Sequence, residues 1–185
     1  MKKEIEDLTI STIVLMLLFS NFQSYLLPLV VPAVVTAFLV HELAHRWTAR
    51  KLGYVTFYRR WDAGIVLAIL MGIATKILIG KAWIFAALGS VQVYTTPSYL
   101  PLETKSSMGR VAIAGPLANI IVAALVYPMT NLFTWAPSVV RVNLWVAFFN
   151  LLPVPPLDGW KIPRWSAGYW ALSTGVAYTL LQVWG

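Results

Sequence analysis

The sequence predicts an all-α polytopic membrane protein, a bundle of about six transmembrane helices with a short membrane-associated β segment or a re-entrant hairpin. Three observations carry that expectation. Of the 185 residues, 59% are hydrophobic and only 11% charged, and the mean hydropathy is +0.72, too apolar for a soluble domain of this size. Runs of about 20 apolar residues, each enough for one helical crossing, recur between residues 8 and 184. The charged residues that remain gather in the segments between those runs.

Taken in order, the first helix is expected over residues 8–27 and ends at Pro28. It does not read as a secretory signal, because the apolar pattern resumes at once and no small-residue cleavage site follows Ser20. A second helix over residues 29–51 carries His41-Glu42-Leu43-Ala44-His45. The stretch from Gly53 to Tyr58 is rich in β-formers and predicts a short strand near the membrane surface. Residues 64–94 are apolar but interrupted by Gly72, Lys76, Gly80, Lys81 and Gly89, a pattern that fits two short crossings or a re-entrant hairpin buried against protein. A polar loop over residues 95–109 follows, then helices over 110–133, containing Gly115-Pro116, and over 139–152. The latter runs into Pro153-Val154-Pro155-Pro156-Leu157-Asp158-Gly159, and a last helix covers residues 165–184. With no internal repeat, low-complexity tract or composition shift, residues 1–185 are read as a single domain.

The net charge of +7 reads as a topology signal and not as a nucleic-acid footprint. Lys2, Lys3, Arg46, Arg50, Lys51, Arg59, Arg60, Lys105, Arg110, Lys161 and Arg164 fall on one side if residues 64–94 return to the side they left; Lys76, Lys81 and Arg141 lie elsewhere. By the positive-inside rule the first group is cytoplasmic, which predicts a multi-pass protein of the cell membrane. His41, His45 and Asp158 then reach similar depth near the cytoplasmic side. Nine Trp and eight Tyr suit interfacial belts.

Cysteine is absent, so only imidazoles and carboxylates remain as strong metal ligands. His41 and His45 are the two histidines of the chain, and their i, i+4 spacing puts both on one helix face, where two nitrogens can reach one Zn²⁺. Glu42 lies beside the first, where a carboxylate can take a proton from water and return it to a leaving amine. His-Glu-x-x-His also arises by chance on polar helices, but here the preceding residues 34–40 are mostly apolar, and ionisable groups at membrane depth are functional by default. A catalytic zinc takes three protein ligands, so the third must be an oxygen. Glu4, Glu6, Asp7 and Glu103 are expected to be exposed, and Asp62 lies in a basic surface segment. Asp158 is embedded beside an apolar helix, yet Pro-Leu-Asp-Gly is also ordinary turn chemistry, and the two readings are compatible. Gly115 and Pro116 read as helix packing or a close backbone approach, and Asn119 as an interhelical hydrogen bond. Asn150 divides evenly between such a bond and an electrophilic role.

Three segments, His41-Glu42-Leu43-Ala44-His45, then Ala114-Gly115-Pro116-Leu117-Ala118-Asn119, then residues 150–159 from Asn150 to Gly159, resemble in that order the signatures of the site-2 proteases, intramembrane zinc metalloproteases. The resemblance covers a catalytic core over about residues 29–159 and implies His41, His45 and Asp158 as ligands of one Zn²⁺ per chain, although Co²⁺ or Fe²⁺ suits the same donors. It implies Glu42 as general base and Asn150 as a side chain that positions the substrate carbonyl or stabilises an oxyanion. The implied partners are the lipid bilayer and a single-span membrane protein cut within or near it, after local unwinding and pairing with the strand near Val55 to Tyr58. The PDZ or CBS modules of many relatives are not expected within these 185 residues. Two rival readings are an ion-pathway transporter, weakened by the absence of inverted repeats, and a non-proteolytic metal-binding membrane protein, weakened by Glu42.

Overall fold

A computed structural model describes residues 2–82, 88–94 and 105–185. The first helix, α1 (Lys2–Phe19), starts and stops earlier than the hydropathy suggested. Its charged first turns are stabilised by partners remote in sequence. Glu4 Oε1 accepts from Arg46 Nη1 at 3.0 Å and from the Tyr58 N–H at 3.2 Å. Asp7 lies 3.4 Å from Arg60 Nη1. Glu4 and Asp7 are therefore buried, against the expectation of exposure, whereas Glu6 stays exposed.

The chain reverses after α1 at Asn21 and Phe22, whose φ angles of 53° and 56° are left-handed. Asn tolerates that conformation, and its side chain accepts from the Ala82 N–H and donates to Gly80 O. The break thus falls here and not at Pro28, which sits in the first turn of α2 (Leu27–Val34), where its missing N–H has no partner to lose. A π-helical segment, Val35–Val40, joins α2 to α3 (His41–Lys51). From Ser24 to Lys51 the chain is one helical rod.

As the β-former content predicted, a strand follows: β1 (Val55–Arg60). The next segment resolves into α4 (Asp62–Ile79), capped by Gly80 at φ 76°, and β2 (Gly89–Tyr94), which runs antiparallel to β1 with Arg60 opposite Gly89 and Val55 opposite Tyr94. Of the two crossings or the hairpin expected over residues 64–94, the described residues show one helix, α4, and a strand, β2, that lies beside the strand from which α4 leaves. The expected loop over 95–109 lies outside the described residues as far as 104, as does Glu103; its last residues already belong to α5 (Lys105–Val126). After α6 (Ala136–Asn150), a turn leads through a 3₁₀ turn at Asp158–Trp160 into α7 (Ile162–Trp165) and α8 (Ala167–Trp184).

Three of these helical segments, Ser24–Lys51, Asp62–Ile79 and Lys105–Met129, are long and apolar enough to cross a membrane. The expectation of about six is met only in that part: α6, with 15 residues, is about 22 Å long against a hydrocarbon core of about 30 Å. On α4, Val66, Leu70, Ile73, Ile77 and Leu78 stand exposed, a surface suited to lipid and not to water. A buried core cluster runs where α5 packs against α6, α7 and α8, through Ala112, Ala147, Ile162 and Ala177. Behind α3, the sheet is fastened to α1 through Tyr58, whose hydroxyl donates to Ser11 at 3.0 Å. Burial, followed by the nearby Glu42 carboxylate, pushes the Tyr58 phenol well above its ordinary range.

Candidate metal centre

His41 and His45 project from successive turns of α3 toward α5, each about 5% exposed. Close approach is allowed by a missing side chain: a Cβ on Gly115 would lie 2.5 Å from His45 Nε2 and 2.6 Å from His41 Nε2. Gly115 therefore belongs to the site, a role that the packing reading of its sequence did not separate from ordinary helix contact. Asp158 arrives from the turn after α6. There the Leu157 N–H donates to Val154 O and the Lys161 N–H to Asp158 O, while a Cβ on Gly159 would collide with the Leu151 carbonyl. Turn chemistry and inward aim coincide in this one residue.

Three atoms converge. His41 Nε2 and His45 Nε2 are 2.9 Å apart, and Asp158 Oδ2 lies 3.2 Å from the first and 3.0 Å from the second. The other ring nitrogens settle what those atoms are. His45 Nδ1 sits 2.7 Å from the Val111 carbonyl, which can only accept, so Nδ1 carries the proton. His41 Nδ1 lies 2.6 Å from Asn119 Oδ1, and the amide nitrogen of Asn119 is directed to Ala37 O and Asn143 Oδ1 instead. In the neutral form each ring then turns an unprotonated Nε2 toward the other and toward a carboxylate oxygen. Three lone pairs at one point repel unless a cation sits between them. A tetrahedral zinc with Zn–N bonds of about 2.0–2.1 Å would place its donors about 3.3 Å apart, close to the separations found here. The donor set fits the metal, and the carbonyl and amide behind the rings are the outer partners that such ligands use.

Beside this triangle runs a cavity of about 110 Å³ bounded by Glu42, Asn150, Asp158 and Lys161, by Phe38 and Trp145, and by Gly89, Val91 and Val93 of β2. Glu42 Oε2 is buried without a hydrogen-bond partner among the described residues. Asn150 also lines the cavity, and its Nδ2 donates to Val146 O at 3.0 Å. His41, Glu42, His45, Asp158 and Asn150, all expected at the site, are therefore brought to one cavity. Asp62 is not: it accepts from Arg60 Nε at 2.6 Å on the exposed surface. Asn119 does make the interhelical bond expected of it, but to His41. Asn143 and Thr36, which complete that network, carry no sequence signal beyond being polar in apolar runs.

Relatives of the chain are known. It is 35% identical over 180 residues to "Putative zinc metalloprotease MJ0611" of Methanocaldococcus jannaschii, covering 92% of this chain and 88% of that protein. To "Putative zinc metalloprotease YwhC" of Bacillus subtilis it is 28% identical over 160 residues, 78% of this chain and 71% of that one. To "Putative zinc metalloprotease Rip2" of Mycolicibacterium smegmatis it is 28% identical over 147 residues, 71% of this chain and 54% of that one. No family model and no solved structure matches the chain.

Proposed function

Because the chain belongs to the zinc metalloprotease family of MJ0611, we propose that it is an intramembrane endopeptidase of the site-2 protease type, cutting single-span membrane proteins within or near the bilayer. The observation that carries this reading is the convergence of His41 Nε2, His45 Nε2 and Asp158 Oδ2 on a cavity that Glu42 also lines, with its Oε2 buried and without a hydrogen-bond partner among the described residues. In this reading His41, His45 and Asp158 hold one zinc ion. Bound there, zinc supplies Lewis acidity that polarises a carbonyl and acidifies water.

The remaining work falls to the chain's own groups. Glu42, which lines the same cavity, takes the proton of the attacking water at its carboxylate and returns it to the leaving amine. Asn150 has two amide N–H donors; one is held by Val146 O, and the other, without a partner among the described residues, meets the substrate carbonyl as charge develops on it. A substrate helix hides its carbonyls and must be drawn out into an extended form before cleavage. The sheet offers a template, at β2 and not at β1 as the sequence suggested. The Tyr58 N–H on the outer edge of β1 is already occupied by Glu4. Since Tyr58 faces Val91 in the register, the backbone groups of Gly89, Val91 and Val93 point outward from the other edge, along the cavity. Among the described residues no third strand covers that edge. The cluster Arg46, Arg50, Lys51, Arg59 and Arg60 supports a cytoplasmic orientation of this end by the positive-inside rule.

The test is a paired measurement of zinc and of cleavage of a single-span substrate, on wild type and Glu42→Gln. The amide fills the same space and cannot act as a base, so zinc should stay stoichiometric while cleavage falls at least about 100-fold. Full activity in the variant would refute Glu42 as the base. An ion-pathway transporter or a non-proteolytic metal-binding membrane protein would show no cleavage in either form.

A further inference from the structure

The direction of every hydrogen bond behind His41 can be fixed from its far end. Thr36 Oγ1 donates to Pro32 O at 2.8 Å, so it must accept from Asn143 Nδ2 at 3.0 Å. The second N–H of that amide goes to Val139 O at 2.8 Å, a carbonyl that can only accept. Asn143 Oδ1 is thereby the atom left facing α5, and it accepts from Asn119 Nδ2 at 2.9 Å. Asn119 gives its other N–H to Ala37 O at 2.8 Å. That carbonyl lies in the π-helical segment Val35–Val40, and the His41 N–H goes past it to Phe38 O. Both donors of Asn119 are thus committed, which leaves Oδ1 for His41 Nδ1.

Asn119 and Asn143 are each 0% exposed. A buried amide pair has no water to reorganise with, so its orientation is held by these partners alone. The geometry points to Asn143, with Thr36 behind it, as a positioning residue that acts through Asn119 to keep the proton of His41 on Nδ1 and its Nε2 lone pair open to a metal. The three are contributed by α6, the π-helical segment and α5, so the ligand's tautomer is set by how three helices meet. Its metal-affinity arm rests on the zinc-protease reading above; its tautomer arm does not. The partner histidine supplies an internal control, since His45 Nδ1 is held by the backbone carbonyl of Val111 and has no link to Asn143.

The experiment uses the full chain labelled with ¹⁵N-histidine, which gives signals from only two residues. In the metal-free wild type both rings should carry a proton on Nδ1. Asn143→Leu removes the acceptor for Asn119, freeing that amide to turn its NH₂ toward His41. The His41 signals should then shift toward the Nε2–H form while those of His45 stay, and zinc affinity should fall about 10- to 100-fold, as for other outer-shell partners. If Asn143→Leu does not fold, Thr36→Val carries the same test with a smaller effect, and Thr36→Ser, which keeps the hydroxyl, should restore the wild-type spectrum. Unchanged His41 signals, or equal changes at both rings, would overturn the proposal. A wild type with the expected tautomers but no zinc affinity would uphold the network and refute the zinc reading instead.

Discussion

Gly115 shows how small a change can close the centre. A methyl group there would lie 2.5 and 2.6 Å from the two Nε2 atoms, well inside contact distance, and a rigid α5 cannot yield without moving α6. Gly115→Ala should therefore lower zinc affinity by an amount on the order of 10- to 100-fold, measured by elemental analysis after mild chelation, with helix content by circular dichroism unchanged. Asp158 allows a second test at the same scale. If its carboxylate is a ligand, Asp158→Asn loses zinc and cleavage together, since a neutral amide is a poor zinc ligand; if it is only a turn residue, Asn keeps the turn and both survive. Asp62→Asn, remote on the surface, is the control. His41, Glu42, His45 and Asp158 were legible because their chemistry is rare in an apolar chain and their spacing is restrictive. Gly115 and Asn119 were not weighted as they merit. A glycine or asparagine in a helical run reads the same whether a leucine or an imidazole lies opposite.

For single elements, the two strands differ in how plainly they announce themselves. The first four residues of β1 are β-branched or aromatic and run into Arg59 and Arg60, whereas Gly89-Ser90-Val91-Gln92-Val93-Tyr94 closes an apolar stretch that resembles a crossing. Only the pairing with β1 gives β2 its strand character, and pairing is non-local. The early break at Asn21 escaped for a related reason: its left-handed turn is held by Gly80, Lys76 and Ala82, nearly sixty residues later. The register yields a prediction for substrate pairing. The Val91 N–H points away from β1, so Val91→Pro leaves the ladder intact and removes one outward donor. Cleavage should fall by about 10-fold, the worth of one net hydrogen bond, with zinc content unchanged. Ser90→Pro deletes a donor that faces Arg59 inside the ladder and should loosen the sheet itself, seen as faster amide exchange at Phe57 and Arg59.

Across the whole molecule, charge placement decides which end faces which compartment, and the fold supplies what the sequence left conditional. Lys51, Arg59 and Arg60 cluster with Lys161 only if residues 64–94 come back, and β2 brings them back by pairing with β1. Arg46 and Arg60 are further tied to α1 through Glu4 and Asp7, so the basic end is a packed unit and not a set of loose loops. From Asp62 the helix α4 runs 18 residues, about 27 Å, to Gly80 and Lys81, almost the depth of a hydrocarbon core. Lys81 should therefore emerge on the far side. The chain contains no cysteine, so single substitutions can be read without background. With an impermeant thiol reagent added to intact cells, Lys81→Cys should be labelled while Lys51→Cys and Lys161→Cys are not; in inverted vesicles the pattern should reverse. Labelling of Lys51→Cys and Lys161→Cys from opposite sides would separate the two halves of the centre, because Lys51 ends the helix that carries His41 and His45 and Lys161 lies three residues beyond Asp158. It would then be the bundle itself, and not the orientation alone, that fails.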